Sequence, residues 1–525
     1  MAEAGGKKVS EAKIPTLEGF PAYNPSVHGP LATFSAPEGH VVLDKYWIDE
    51  PFVLACITEN PKTKERLYHV VEPSLEKVQG IFADLINYLK FKFSLEEVTE
   101  GWENALLHHI SQFLRVGGRK IDVKDAYSLF YHAKRECFGF KEIDALMKDA
   151  EIEDISCNGL GVPIFLYHRK YYNIPTNIVF TDEERLNNLV ISLVERCGKM
   201  ISFGKPTVDA TLPDGSRLQA TLGTEITTRG STFTIRKFAK EPFTPVHLLK
   251  HKTYSAEMLA YLWLAVENKK NIIIVGETAS GKTSTLNALS LFIPPDAKII
   301  SLEETRELTL YQQNWIPSVT RATIGEGGGG ITLYDLLLQA MRQRPECLIV
   351  GEVRGKEGLT LFQAMSTGHT CYSTLHSSSI EEAINRLEGA PLNIPHNMIA
   401  ALDIACFQSI SYLGQQRVRR AQSIVEIAGI DPATNSLRVQ EVFRWVPSKD
   451  TFEQVAASVV LREIAERRGW SQDRLRKELE TRARLLEYLL ENNIIDHDKV
   501  SQFMRLYHIS PDEAVKKISR EKQRR

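Results

Sequence analysis

Several things are scarce in this sequence, and each scarcity removes a class of protein. Seven cysteines, Cys56, Cys137, Cys157, Cys197, Cys347, Cys371 and Cys406, are scattered through 525 residues with no Cys-x-x-Cys pair. An odd count at irregular spacing gives neither a disulfide framework nor a zinc site, and the cysteines read as reduced, mostly core residues of a cytoplasmic protein. No apolar run approaches the roughly 18 residues of a membrane span. The opening MAEAGGKKVSEAK has no apolar segment after its lysines and does not read as a secretory signal. Net charge is only −2, which argues against a surface given over to nucleic acid, although a local basic patch remains compatible with it. What is present, 43% hydrophobic and 25% charged residues, is the composition of a globular protein long enough for about three domains.

Along the chain the patterning changes several times. Residues 1 to about 80 mix proline, aromatic and β-branched residues and predict extended structure. IFADLINYLKFKF and GWENALLHHISQFLRV carry apolar residues at helical spacing, so 81–148 predicts amphipathic helices. From 150 short strands take over, with one helix, TDEERLNNLVISLVERCG, for which Thr181 is the expected N-cap. VDATLPDGSRLQATL predicts a hairpin around Pro-Asp-Gly, and STFTIRKF a further strand. FAKEPFTPVHLLKHK, with two prolines and several charges, is the expected linker (241–252). Beyond it, the apolar runs NIIIVG, KIISLEE, ECLIVGE and CYSTLH are separated by helical patterns, as in a buried parallel sheet with crossover helices. After about 448 the chain is helical and charged, with an apolar stripe LLEYLLENNII; a solvated helical appendage is the expectation.

The strongest chemical signal is GETASGKTS, residues 276–284. Gly276, Gly281, Lys282 and Thr283 fill the G-x-x-x-x-G-K-[ST] pattern between a predicted strand and a predicted helix, which is the context the motif requires. Its glycines let backbone N–H groups of Glu277, Thr278, Ala279, Ser280 and Ser284 curl around phosphates, and the helix N-terminus adds positive potential. Lys282 is placed to reach the β- and γ-phosphates of ATP, and the Thr283 hydroxyl to ligate Mg²⁺. Two apolar strands end in acids, KIISLEE at Glu303 and Glu304 and ECLIVGE at Glu352, and a third run ends at His376. In an open α/β sheet, ligands sit at the carboxyl ends of strands. Glu352 is thus a candidate for the Mg²⁺ side, through water, as well as for catalysis.

With those four segments in order, GETASGKTS, ISLEETREL, LIVGEVRGKEGL and STGHTCYSTLH, the chain resembles the type II/type IV secretion ATPases over about residues 150–430. This superfamily drives secretion pseudopili, type IV pili and archaella. The absence of a four-cysteine insert and the spelling of several segments resemble its archaeal members. The resemblance implies an α/β fold: a RecA-like P-loop ATPase core (253–448), preceded by a PAS-like α+β N-terminal domain (151–240) that covers the nucleotide. An accessory region (1–150) and a helical C-terminal tail (449–525) complete it.

By the same resemblance Glu303 would polarise the attacking water, Glu352 would act beside Mg²⁺, and His376 would sense the γ-phosphate, while His369 would support the fold. Arg217 and Arg236 match arginine-bearing strands of the N-terminal domain, and Arg342 an arginine before the Walker-B-like strand, with Arg344 and Arg229 as weaker matches. The family pattern implies a homohexamer, cytoplasmic and peripheral to the inner face of the cell membrane. It would work on a polytopic membrane platform protein and, indirectly, on pilin-like subunits, with no nucleic-acid partner. The GEGGGG run, 325–330, would be a loop that changes order during the cycle. The alternatives are an archaellum motor of the same superfamily, a RecA-like nucleic-acid translocase, and a nucleotide-dependent scaffold that scarcely hydrolyses.

Overall fold

The computed structural model describes residues 16–93, 101–116, 121–238, 242–321, 329–414 and 416–523. It forms two compact units, 1–238 and 239–525.

Unit one is built on a nine-stranded sheet in the order β1-β2-β3-β6-β5-β4-β9-β8-β7. Its strands are β1 (Val41–Asp49), β2 (Val53–Glu59), β3 (Arg66–Val71), β4 (Ile152–Cys157), β5 (Pro163–His168), β6 (Tyr172–Val179), β7 (Thr207–Thr211), β8 (Arg217–Thr221) and β9 (Thr232–Arg236). The expected boundary at 150/151 is therefore not a division of the structure. β3 pairs with β6 at Tyr68 and Thr176, and one apolar core runs from Leu17 to Ile235. Asp149 sits at this seam, accepting hydrogen bonds from Tyr46 Oη (2.7 Å) and Tyr68 Oη (2.5 Å). Three helices, α1 (Gln79–Leu89), α2 (Trp102–Val116) and α3 (Val123–Cys137), pack on one another. A fourth, α4 (Glu183–Arg196), buries Leu186, Leu189, Val190, Leu193 and Val194 at helical spacing. Its N-cap is Asp182 rather than Thr181: the carboxylate accepts from the N–H groups of Glu184 and Arg185 and also favours the helix dipole. The Pro-Asp-Gly hairpin forms as expected between β7 and β8.

Unit two opens inside the expected linker, where Thr244 and Pro245 start a short helix, α5 (Pro245–Lys250), closed by a capping box with His247. Its sheet has the order β12-β11-β13-β14-β10-β15-β16-β17-β18. The four expected apolar runs are β10 (Ile272–Gly276), β11 (Ile299–Glu303), β13 (Cys347–Val350) and β14 (Thr370–Leu375), every residue of them buried. They lie parallel, with β12 (Trp315–Val319) beside β11 and β15 (Ile404–Leu413) beside β10. The remainder departs from the expectation of a parallel sheet throughout. β15, β16 (Gln416–Ile430), β17 (Leu437–Val446) and β18 (Thr451–Gln454) are an antiparallel meander. Helices cover both faces, among them α6 (Ala256–Glu267), α7 (Lys282–Ser290), α8 (Leu333–Met341), α9 (Glu357–Ser366) and α10 (Ile380–Glu388).

The C-terminal helices, α11 (Val459–Arg468), α12 (Gln472–Glu491), α13 (His497–Ile509) and α14 (Pro511–Gln523), are not a solvated appendage. Leu485, Leu486, Leu489, Phe503 and Tyr507 join the core of unit two, against α6. A guanidinium closes that seam: Arg482, 2% exposed, reaches Glu267 at 2.7 Å and Glu478 at 2.6 Å and lies over the Trp263 and Tyr507 rings. Among the described residues no helix is long and apolar enough to cross a membrane, and none of the cysteines is in a disulfide.

Candidate active site

Gly276 ends β10, and its place in the fold explains its identity: a Cβ there would stand 2.4 Å from the Gln408 carbonyl oxygen and 2.6 Å from Ser280 Oγ. The chain then turns through Ala279 and Gly281, both at positive φ (62° and 96°), before α7 begins at Lys282. Gly281 takes this conformation without the Cβ strain that Ala279 carries. The turn is held from inside. Ser280 Oγ donates to the Glu277 carbonyl, and Lys282 Nζ donates to the carbonyls of Gly276 and Glu277, each at 2.9 Å. Lys282 is 8% exposed, so its charge is focused at the loop. Thr283 and Ser284 follow on the first turn of α7, and Thr285 Oγ1 accepts from Gln408 Nε2 at 2.8 Å.

The acids reach this loop because β10, β14, β13 and β11 are parallel neighbours, so their carboxyl ends lie in one row. Glu303 is 3% exposed. Its Oε1 accepts from the N–H groups of Glu307 (2.8 Å) and Leu308 (3.0 Å), while Oε2 is buried with no hydrogen-bond partner. Burial outweighs those two donors and pushes its carboxyl up to about 7. Gly351 leaves room for this approach, since its Cβ position is already 3.3 Å from Glu303 Cγ. Glu352 presents one buried oxygen without a partner and binds Arg354 with the other at 2.6 Å; the same guanidinium reaches Glu304 at 3.5 Å.

His376, just past β14, is tied to the phosphate loop: its Nε2 is 2.9 Å from Thr278 Oγ1. Its carbonyl accepts from Arg386 on α10. Desolvation, then the charge of Lys282, lowers its pKa against the opposing pull of Glu352, so the ring is neutral near pH 7. The other polar residues of β14 serve the frame. Ser373 Oγ and Thr374 Oγ1 donate to the Val350 and Gly351 carbonyls, at 2.7 Å each, and so fix the end of β13 that carries Glu352.

Within unit two, not every expected residue gathers here, and the expected residues of unit one are described by their own surroundings. His369 lies at the amino end of β14, where its N–H closes α9 on the Ala364 carbonyl. Arg342 is exposed at the end of α8, before the amino end of β13, opposite the end of the sheet that holds the loop; Arg344 is two residues further on. Arg217 and Arg236 are cross-strand partners in unit one, with Asp154 paired to Arg236 from the other side. Arg229 is exposed, and its backbone carbonyl accepts from the Leu160 N–H. The GEGGGG run falls, through residue 328, outside the described residues. Arg354, Arg386, Gln408 and Arg419 were not expected. Arg354 alone has a sequence signal, being two residues from Glu352; the others reach the site from elements that only the fold brings near.

Arrayed in this way, the loop and Lys282 suit a polyphosphate, and Glu303 suits a water whose proton must be taken. The partnerless oxygens of Glu303 and Glu352 fit a site that also accepts a hydrated divalent cation, with Thr283 and Glu352 as the residues to hold it. Such a cation would supply charge neutralisation at the transferring phosphate.

Three family models match successive parts of this chain. The family model described as "Type II/IV secretion system protein" matches residues 163–435. Models described as "PilB3-like, N-terminal" and "PilB3-like, C-terminal" match 12–74 and 448–523. The uncharacterized protein MJ0900 of Methanocaldococcus jannaschii is 35% identical over 515 residues, covering 96% of this chain and 90% of its own. The type IV secretion system protein PtlH of Bordetella pertussis is 30% identical over 226 residues, covering 39% and 67% respectively. Among solved structures, the pilus retraction motor PilT with bound ADP aligns at 18% identity and a TM-score of 0.40, over 68% of this chain and 95% of its own.

Proposed function

This chain belongs to the type II/IV secretion system protein family as an ATP-binding ATPase with PilB3-like flanks, and from that premise we propose that it is the hexameric motor of a type II secretion or type IV pilus-like machine. Glu303 draws the proton from the attacking water, Lys282 and the loop amides hold the phosphates, and Thr283 and Glu352 hold Mg²⁺. His376 links the γ-phosphate position to Thr278. The observation that carries this reading is the convergence at the carboxyl ends of neighbouring parallel strands: a phosphate loop bonded through Thr278 to His376, flanked by two carboxylates that each keep a buried oxygen unpartnered.

In this reading the PAS-like part of unit one closes over the nucleotide and brings Arg217 and Arg236 to it. Arg342, at the opposite end of the sheet from its own loop, serves a neighbouring copy. Hydrolysis opens and closes the hinge between the units, and the motion is passed to a polytopic membrane protein at the inner face of the cell membrane, which in turn moves pilin-like subunits. The PilB3-like matches at both flanks support a pilus-type role over an archaellum motor.

The test is Mg²⁺-dependent ATP hydrolysis by the purified chain and by Glu303→Gln, with light scattering on both, with and without ATP. A hexamer that turns over ATP, and a variant hexamer that binds ATP without turnover, is the expected result. An active monomer indifferent to the substitution would overturn it.

A further inference from the structure

The catalytic groups occupy only one side of the phosphate loop. Glu303, Glu352 and His376 come from β11, β13 and the end of β14, all on the β14 side of β10. On the other side lie β15 and β16, and from β16 a side chain that the reaction as described does not use reaches the loop. Arg419 Nε donates to the Ala279 carbonyl at 2.8 Å, and its Cδ lies 3.5 Å from the Cβ position of Gly281. Ala279 and Gly281 are the two positive-φ residues of the turn, so Arg419 braces the loop where its backbone is least self-supporting.

Nε is one of three nitrogens. The side chain is exposed, and its two terminal nitrogens have no hydrogen-bond partner among the described residues. A guanidinium fixed at Nε, with its outer edge open, is oriented for a planar or anionic partner at that edge.

Which part of a nucleotide would meet it follows from direction. If the γ-phosphate points at Glu303, Glu352 and His376, the chain of phosphates crosses the loop away from them, and the α-phosphate and sugar emerge on the side of β15 and β16. We infer that Arg419 is a nucleotide-contact residue, binding the α-phosphate and sugar end of ATP or ADP while its Nε holds the loop open at Ala279. The inference rests on the proposed nucleotide site and adds to it the wall opposite the catalytic acids. Gln408, which ties β15 to Thr285, keeps that wall in register with α7.

The experiment is isothermal titration of the full chain with ADP and, separately, with inorganic pyrophosphate, for wild type, Arg419→Ala and Arg419→Lys, with Lys282→Ala as the control for the site itself. Pyrophosphate lacks the sugar and the esterified phosphate but shares the loop. Arg419→Ala should weaken ADP by about tenfold, the usual loss for a hydrogen bond to a charged group, and pyrophosphate by clearly less. Arg419→Lys should recover part of the ADP affinity. Equal losses for both ligands would reduce Arg419 to a brace and overturn the inference, as would unchanged ADP affinity. Wild type and Lys282→Ala that bind ADP equally poorly would overturn the nucleotide site itself, and the inference with it. The exposed side chain makes misfolding a minor concern, and the thermal unfolding midpoint of Arg419→Ala should match wild type.

Discussion

Glu303→Gln should make the protein more stable in base while disabling it, and the size of both effects follows from one buried carboxylate. Burial raises Glu303 from its ordinary 4.5 to about 7. A group whose folded pKa is raised holds its proton more tightly when folded, so stability is highest below 4.5, falls as the pH rises from 4.5 to about 7, and is flat above. The interval corresponds to ~3 kcal/mol in all, of which ~2–3 kcal/mol accrues between pH 5 and pH 8.5. Glutamine has no charge to bury and keeps a carbonyl for the N–H groups of Glu307 and Leu308. Its amide nitrogen falls where Oε2 now lacks a partner, which costs about 1–3 kcal/mol at any pH. The informative quantity is therefore the change with pH. In urea unfolding of the full chain, the variant should gain ~2–3 kcal/mol on wild type between pH 5 and pH 8.5. In the same pair, kcat/KM of wild type should rise with pH and level off near 7, because a base must be ionised to act and kcat/KM reports the free enzyme. The variant should be slower by about 10²–10⁴-fold and lack that limb. A stability difference independent of pH, or a variant that hydrolyses ATP at the wild-type rate, would refute the reasoning.

Other expectations are as specific. His376→Ala removes the bond to Thr278 from a partly exposed side chain, so ATP hydrolysis should fall by about 10²-fold while the unfolding free energy moves by less than about 1 kcal/mol; a variant that unfolds on mild warming but hydrolyses ATP normally in the cold, while still folded, would make the histidine structural. Arg482→Ala leaves Glu267 and Glu478 without their buried partner and should cost about 3–5 kcal/mol, seen as early protease cleavage ahead of α11. Replacement of Arg482 by methionine together with Glu267→Gln should recover much of that loss. For Arg342, the decisive measurement is an equal mixture of Arg342→Ala and Glu303→Gln chains. If each site takes Glu303 from one copy and Arg342 from the next, about a quarter of the interfaces in a random ring are intact and activity returns to that level; two inactive proteins that stay inactive when mixed would exclude a role across copies.

What the sequence made legible, and what it hid, divides along physical lines. β10, β11, β13 and β14 are buried on both faces, so β10 and β13 read as unbroken apolar runs, β11 is interrupted only by Ser301 before its final Glu303, β14 carries only small hydroxyl residues among its apolar ones, and the acids and histidine that end them stand out by contrast. The meander is mixed: β15, IACFQSISYL, is buried through its first five residues and only partly covered beyond them, and β16, β17 and β18 carry many polar, partly exposed residues, so together they give a weaker signal between helical patterns. The C-terminal helices misled for a related reason. Their charged faces dominate the composition, while Arg482, the residue that locks them to α6, is itself charged and yet 2% exposed. A buried arginine paired with Glu267, far away in sequence, cannot be told from a surface arginine until the helix it meets is known. The supposed break at residue 150 failed likewise, since Asp149 joins Tyr46 and Tyr68 across the seam through contacts of long sequence separation.

The same distinction applies to the arginines of the candidate site. A motif reports a residue type at a spacing, and for the phosphate loop spacing is enough, because loop, strand and helix are contiguous in the chain. An arginine acts through its reach, and reach is a property of topology. Arg342 matches a pattern yet sits at the amino end of β13, whereas Arg419 matches none and touches Ala279. Parallel strands make this separation unavoidable: residues before and after a strand lie at opposite ends of the sheet, so a group on the helix preceding β13 reaches a nucleotide only if another copy presents one there. The mixing experiment for Arg342 and the two-ligand titration for Arg419 thus probe one principle, in which the fold, rather than the motif, decides which cations face the phosphates.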